Sequence, residues 1–278
     1  MKVFICSNKH QMIAAKVSKH SIISRSNLRD NDVRIIAKED FEIMNSLDHA
    51  EILRNGSMFR FGDDDMQNFT LLRFHVPELM KYDGKALVID PDIFLVRNGI
   101  EKIFDIDTQD QVLLSRKGKK INCWSSSVML LNNKKLEHWN LSNLINKMKN
   151  RKLDYSELIN LKFEKNSIGQ LDTCWNEYDE INRETILLHC TEKITQPWRA
   201  GLRMNSSIPK LFGFLPREYI YRLFGKDLRT GREHPSDEVS IFFFNELKKT
   251  LESNIITEDE ISQAISLGLI RQDILSLI

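Results

Sequence analysis

Residues 85–96 read KALVIDPDIFLV. Lys85–Ile89 is an apolar run rich in β-branched residues, and it follows a Tyr82-Asp83-Gly84 turn. A run without polar alternation predicts a strand buried on both faces, at the centre of a sheet. Asp90 and Asp92 close it, with Pro91 between them, and a second apolar run, Ile93–Val96, follows at once. Carboxylates are seldom left in such surroundings without a partner, because desolvating an unpaired charge is costly. A divalent cation supplies such a partner, and oxygen ligands suit Mg²⁺ or Mn²⁺. In open α/β sheets ligands gather beyond the carboxyl ends of the strands, where Asp90 would stand. The bland alternative is a strand-end turn in which Asp90 caps the following backbone. The other Asp-x-Asp pairs, Asp30/Asp32, Asp63/Asp65 and Asp105/Asp107, lack this setting and read as solvated turns.

Upstream, Val3–Cys6 is a short apolar run ending in Ser7-Asn8, and VRIIA at 33–37 is a second one. Between them, Ile13, Ala14, Val17 and Ser21 share one helical face. The three segments predict a βαβ opening. Residues 41–66 are ambiguous; Gly56, Gly62 and Asp63–Asp65 suggest a loop. Asn68 is placed to cap a helix carrying Leu72, Val76 and Leu79, with Pro77 as a kink. Downstream, 111–115 and 127–132 predict strands, 133–150 a helix and 185–189 another strand. After Trp198 the pattern turns to helices and loops. Thr257 and Glu260 form a capping box before a last helix that buries Ile261, Ile265 and Leu269. Strands alternating with helices argue for one doubly wound α/β domain with a helical C-terminal extension.

The 278 residues are 41% hydrophobic and 28% charged, enough for a large core without staples. A net charge of +1 gives no field that would draw the chain to nucleic acid. The four cysteines form no C-x-x-C pair and read as free thiols of a reducing compartment. The N-terminus reads as a first strand rather than a signal peptide, and no apolar run nears the roughly 18 residues of a membrane span. The expected location is therefore cytoplasmic, so the sequons at Asn68, Asn140 and Asn205 carry little weight.

The longer block FTLLRFHVPELMKYDGKALVIDPDIFLV, at 69–96, resembles the donor-site block of the family 8 glycosyltransferases, in a bacterial or phage-like branch. SSSVMLLNNKKL, LDTCWNEYD and LLHCTEKITQPWRAG resemble, in order, the donor-sugar strand, the segment before the last core strand, and the closing His/Pro-Trp motif of that family. The resemblance implies the GT-A fold: a single Rossmann-like domain with a central mixed, mostly parallel sheet over residues 1–201, carrying the helical extension 202–278. It implies a nucleotide-sugar donor, usually of uridine diphosphate, a Mn²⁺ ion and transfer with retention to a glycan, lipid-linked or protein acceptor. It implies that Asp90, Asp92 and His189 hold the metal. Arg73 would lie near the donor phosphates or sugar, its alternative being a surface salt bridge. Cys6, Ser7 and Asn8 would face the nucleoside, and Ser126 and Ser127 the sugar. Gln196 and Trp198 would close the donor site. Gln196 stands where the family often has Lys, leaving Lys193 or Arg199 to supply positive charge. Asp154 and Asp172 are both candidates for the carboxylate that orients the sugar, with Asp154 preferred because Asp172 could merely cap the turn before Trp175.

Two other readings remain. A haloacid-dehalogenase-type phosphatase also ends an apolar strand in Asp-x-Asp, but that pair normally follows the first strand and has no use for a His/Pro-Trp block. A non-catalytic glycan- or nucleotide-binding protein could keep the same fold.

Overall fold

A computed structural model describes residues 1–62, 65–118, 123–164, 167–203 and 229–278. The chain divides into two compact units, Met1–His189 and Cys190–Ile278.

The first unit opens with the expected βαβ. Strand β1 (Val3–Ser7), helix α1 (Met12–Ser24) and strand β2 (Val33–Ala37) follow one another, and β1 pairs with β2 in parallel, Val3 opposite Val33. The hairpin strands β3 (Glu51–Arg54) and β4 (Ser57–Arg60) come next. Strand β5 (Lys85–Ile89) pairs in parallel with the other side of β1, and a turn at 90–92 leads into the short β6 (Ile93–Leu95). Strands β7 (Leu113–Lys117), β8 (Trp124–Asn132) and β9 (Ile168–Gln170) complete a six-stranded sheet of order β2-β1-β5-β8-β7-β9. Only β8 runs against the others, pairing antiparallel with both β5 and β7. A second sheet joins β10 (Glu177–Tyr178), β11 (Leu187–His189) and β6.

The side-chain period of two explains why 85–89 carries no polar residue after Lys85. Ala86 and Val88 enter one apolar cluster with Phe4, Met129, Leu131 and Trp139. Leu87 and Ile89 enter another with Val3, Ile5, Val128, Leu130 and Ile22 of α1. The sheet is covered on both faces, as the continuous run predicted.

Three segments differ from the sequence reading. The ambiguous stretch 41–66 contains a two-residue hairpin, whose Asn55 and Gly56 sit at φ 53° and 72°. Asn-Gly is the standard signal for such a turn, and two runs with β-branched or aromatic residues flank it. Residues 70–80 form a 3₁₀ segment, Thr70–His75, that passes into a one-turn helix, Val76–Leu79. Pro77 lies in that helix's first turn, where its missing N–H has no partner to lose. Asn68 does not cap it; its Oδ1 accepts a 2.7 Å bond from Asn8 Nδ2. The expected helix 133–150 starts only at Leu141 and runs to Lys149, because the Asn140 side chain caps the N–H of Asn143.

In the second unit, helix Asp237–Glu252 is capped by Ser236, and helix Glu258–Ser266 carries the expected Thr257–Glu260 capping box. Ile261 and Ala264 are the buried residues of that helix, while Ile265 is half-buried. His234 Nδ1 accepts from the N–H of Ser236, a turn-capping role. The apolar-basic stretch 211–225 lies outside the described residues. Among the described residues no helix is long and apolar enough to cross a membrane.

Candidate metal centre

Five strands of the main sheet run one way, so the carboxyl ends of β1, β5, β7 and β9 share an edge, and β8 begins there. Asn8, Asp90, Ser126, Ser127 and Asp172 are all placed at that edge by the topology. It is where open α/β sheets bind ligands.

Asp90 and Asp92 occupy the turn between β5 and β6. Strand β6 pairs antiparallel with β11, and His189 falls opposite Ile93. That register carries an imidazole from far along the chain to the aspartate turn. One ligand atom from each of Asp90, Asp92 and His189 lies within 4.8 Å of the other two. His189 Nε2 is 3.5 Å from Asp92 Oδ1. Asp90 and His189 are 7% and 8% exposed, so solvent does little to screen an ion held between them.

The buried Arg73 holds Asp90 from the other side. Its Nε donates to Oδ1 at 2.9 Å and its Nη2 to Oδ2 at 2.6 Å, a two-point pair that a lysine could not copy. Arg73 Nη1 donates to Ser126 Oγ, which in turn donates to the carbonyl of Ile159. Burial nevertheless pushes the Asp90 carboxyl up to about 6; Arg73 opposes this, Asp92 reinforces it and His189 opposes it. A divalent ion at the three ligand atoms would stabilise the buried Asp90 carboxylate. Two hard oxygens and one imidazole fit a divalent ion such as Mn²⁺ or Mg²⁺.

Behind His189 lies a polar network that the sequence reading did not single out. His189 Nδ1 is 2.9 Å from Asn176 Oδ1. Asn176 is fully buried, and its Nδ2 donates to Ser127 Oγ at 3.1 Å and Ser125 Oγ at 3.4 Å. Arg116 donates to the Asn176 carbonyl and stacks 4.0 Å from the centroid of the Tyr178 ring. Tyr178 meets the His189 ring edge-on at 5.6 Å.

The remaining expected residues divide. Asn8 lies just beyond β1, its amide tied to Asn68 and Met66, while its Oδ1 is buried with no hydrogen-bond partner among the described residues. Cys6 and Ser7 are wholly buried in β1. Cys6 packs in the apolar cluster with Phe4 and Val88, and burial pushes its thiol far up, which makes it a core thiol. Asp154, the preferred sugar-orienting carboxylate, has both oxygens engaged with backbone: Oδ1 accepts from Asn55 and Ser156, Oδ2 from Gly56. It caps helix α6 (Tyr155–Ile159; the short helices Glu42–Asn45, Val76–Leu79, Lys102–Asp105 and Leu141–Lys149 being α2 to α5) and ties that helix to the β3–β4 hairpin. Asp172 is exposed, and although it precedes the 3₁₀ turn Thr173–Trp175, its side chain makes no cap bond there. Lys193, Gln196 and Trp198 belong to the second unit. Gln196 Nε2 donates to the Cys190 carbonyl there, and Trp198 is 1% exposed with its ring 4.7 Å from Phe243.

No protein-family model and no curated protein matches the sequence. Solved structures do match. A galactosyltransferase, LgtC, in complex with donor and acceptor sugar analogues superposes with a TM-score of 0.51 at 13% identity, over 71% of this chain and 89% of that one. The fold is the GT-A fold. The bifunctional glycosyltransferase WbbM matches at a TM-score of 0.51 and 13% identity, over 72% of this chain and 47% of WbbM. GlyE of Streptococcus pneumoniae TIGR4, also a glycosyltransferase, matches at 0.50 and 16% identity, over 91% of this chain and 64% of GlyE.

Proposed function

We propose that this chain is a metal-dependent glycosyltransferase that moves a hexose from a nucleotide-diphosphate sugar, with uridine diphosphate as the leaving group. The observation that carries the reading is the convergence of Asp90, Asp92 and His189 at the carboxyl edge of a GT-A sheet. Asp90, Asp92 and His189 would hold Mn²⁺ or Mg²⁺, which supplies Lewis-acid stabilisation of the charge gathering on a diphosphate leaving group. Arg73 fixes the Asp90 carboxylate and adds a positive charge at the same edge. Asn8 offers a buried acceptor beyond β1 that is unpaired among the described residues, suited to a nucleoside N–H or hydroxyl. Asp172, exposed and without a cap bond, is the better candidate of the two for orienting the sugar. Retention is part of the proposal, as are residues 1–201 as the catalytic portion and a glycan, lipid-linked or protein acceptor. LgtC, whose fold this chain shares, was solved with donor and acceptor sugar analogues, which supports a sugar donor for this chain.

The test is turnover of UDP-sugars with Mn²⁺ by the wild type and by Asp92→Asn. Loss of Mn²⁺-dependent release of UDP, with the circular dichroism spectrum unchanged, is expected. Undiminished release by Asp92→Asn refutes the metal assignment. Turnover of p-nitrophenyl phosphate with none of any UDP-sugar points to a phosphatase, and nucleotide-dependent thermal stabilisation without turnover to a binding protein.

A further inference from the structure

Asn176 is a buried amide with no apolar reason to be where it is. It sits on no helix face, and its side chain spans from the Ser125/Ser127 hydroxyls to the ring of His189. A neutral imidazole can bind a metal through Nε2 only if its proton is on Nδ1, and the partner of Nδ1 decides which tautomer is stable. In this protein the competing influence is plain. Asp92 Oδ1 is 3.5 Å from Nε2 and, without a metal, would draw the proton to that nitrogen.

We propose that Asn176 is a positioning residue: its Oδ1 accepts the Nδ1 proton of His189 and so keeps Nε2 as a lone-pair donor aimed at the aspartates. The inference rests on the metal-site reading above. Three observations bear on it. The Nδ1–Oδ1 distance of 2.9 Å is that of a normal bond. The other end of the amide, Nδ2, has its own acceptor in Ser127 Oγ at 3.1 Å, which favours this orientation of the amide over its flip. The Asn176 backbone is itself pinned, since Arg116 donates to its carbonyl while stacking on Tyr178, whose ring abuts His189. The imidazole is thus held on its Nδ1 side and its face, leaving Nε2 directed at Asp92.

Two measurements on the full chain test this. In the metal-free protein above pH 8, a two-bond ¹H–¹⁵N spectrum reports which ring nitrogen carries the proton, with His189 assigned by its loss in His189→Gln. Wild type is expected to show a protonated Nδ1, and Asn176→Leu, of similar size but without an acceptor, a proton on Nε2. A wild-type Nδ1 without a proton overturns the inference, because the amide must then present its NH₂ to the ring. The second measurement is Mn²⁺ affinity by electron paramagnetic resonance of the free ion, with no sugar nucleotide present. Asn176→Leu should bind about 10- to 100-fold more weakly, the range for lost partners of metal-bound histidines. Asn176→Asp keeps an acceptor at Oδ1 and should restore binding to near the wild-type value. Equal affinity in wild type and Asn176→Leu overturns the inference. Absence of Mn²⁺ binding by the wild type sinks the metal-site reading instead, and the nitrogen spectrum still decides the role of Asn176. Should Asn176→Leu fail to fold, the wild-type spectrum and Asn176→Asp settle the matter without it.

Discussion

Asp90 is the residue at which burial and charge conflict most openly. Its carboxyl is 7% exposed and is pushed up to about 6, first by burial and second against the pull of Arg73. The sign of the consequence follows from proton counting. Between the ordinary carboxylate value near 4 and about 6, the metal-free folded protein binds more protons at this site than the unfolded chain does. Its stability should therefore fall as pH rises through that window, by on the order of 3 kcal/mol in full. Urea unfolding of the metal-free protein at a series of pH values should show the decline, and Asp90→Asn should flatten it; an unchanged slope in the variant would assign it to another group. At this scale the sequence was legible where a residue's neighbours advertise its surroundings. Asp90 and Asp92 stand between two apolar runs, and His189 ends another. Asn176 was not legible, because nothing in LDTCWNEYD tells a buried loop amide from an exposed one. The cap made by Asp154 was hidden for a related reason: a carboxylate that caps a helix and one that orients a sugar are the same letter. The Asp154-x-x-Glu157 spacing, typical of a helix start, was the available hint.

At the scale of elements, the Asp154 cap connects two pieces that do not adjoin in sequence. Its oxygens accept N–H groups from the turn of the β3–β4 hairpin and from the first turn of α6. A lone two-stranded hairpin is marginal in water, so a polar tie of this kind matters to it. Desolvation opposes ionisation of Asp154, but the N–H groups of Gly56, Ser156 and Asn55 outweigh it and hold its carboxyl below the usual value. A depressed value gives stability that is present above the unfolded value near 4 and lost as pH falls below it. Asp154→Ala should destabilise the protein by about 1 kcal/mol at pH 7, the cost of a lost cap, with the difference from wild type narrowing below pH 4. UDP-sugar turnover at a temperature well below melting should be unchanged. A large fall in that turnover with stability intact would return Asp154 to the role of sugar-orienting carboxylate. The hairpin itself was hidden not by weak signals but by neighbours: Gly62 and three consecutive aspartates made the whole stretch look like loop, although Asn55-Gly56 marked its turn.

For the whole molecule the decisive event is non-local. Residues 90–92 and 189 lie about a hundred positions apart, and the β6–β11 pairing brings them together. No local pattern encodes that register; the sequence could name three ligands from a family likeness but could not show that they meet. An ion bound by all three ties the β5–β6 turn to the last strand of the first unit, and it binds the folded chain alone. Mass action then fixes the size of the effect: at a hundred times the dissociation constant the gain is about 2.7 kcal/mol. For a unit of this length that corresponds to a rise in Tm of roughly 5–10 °C. Titrating Mn²⁺ into the full chain should raise Tm with the logarithm of ion concentration and without a plateau, and EDTA should reverse it. His189→Ala should abolish the rise while lowering the metal-free Tm by only a few degrees, the cost of leaving Asn176 Oδ1 unpaired, because β11 stays in place through Leu187, Leu188 and its backbone pairing with β6 and β10. A rise in His189→Ala as large as in wild type would mean that the ion binds elsewhere. A collapse of its metal-free Tm would mean that the imidazole stabilises the fold rather than holding the ion.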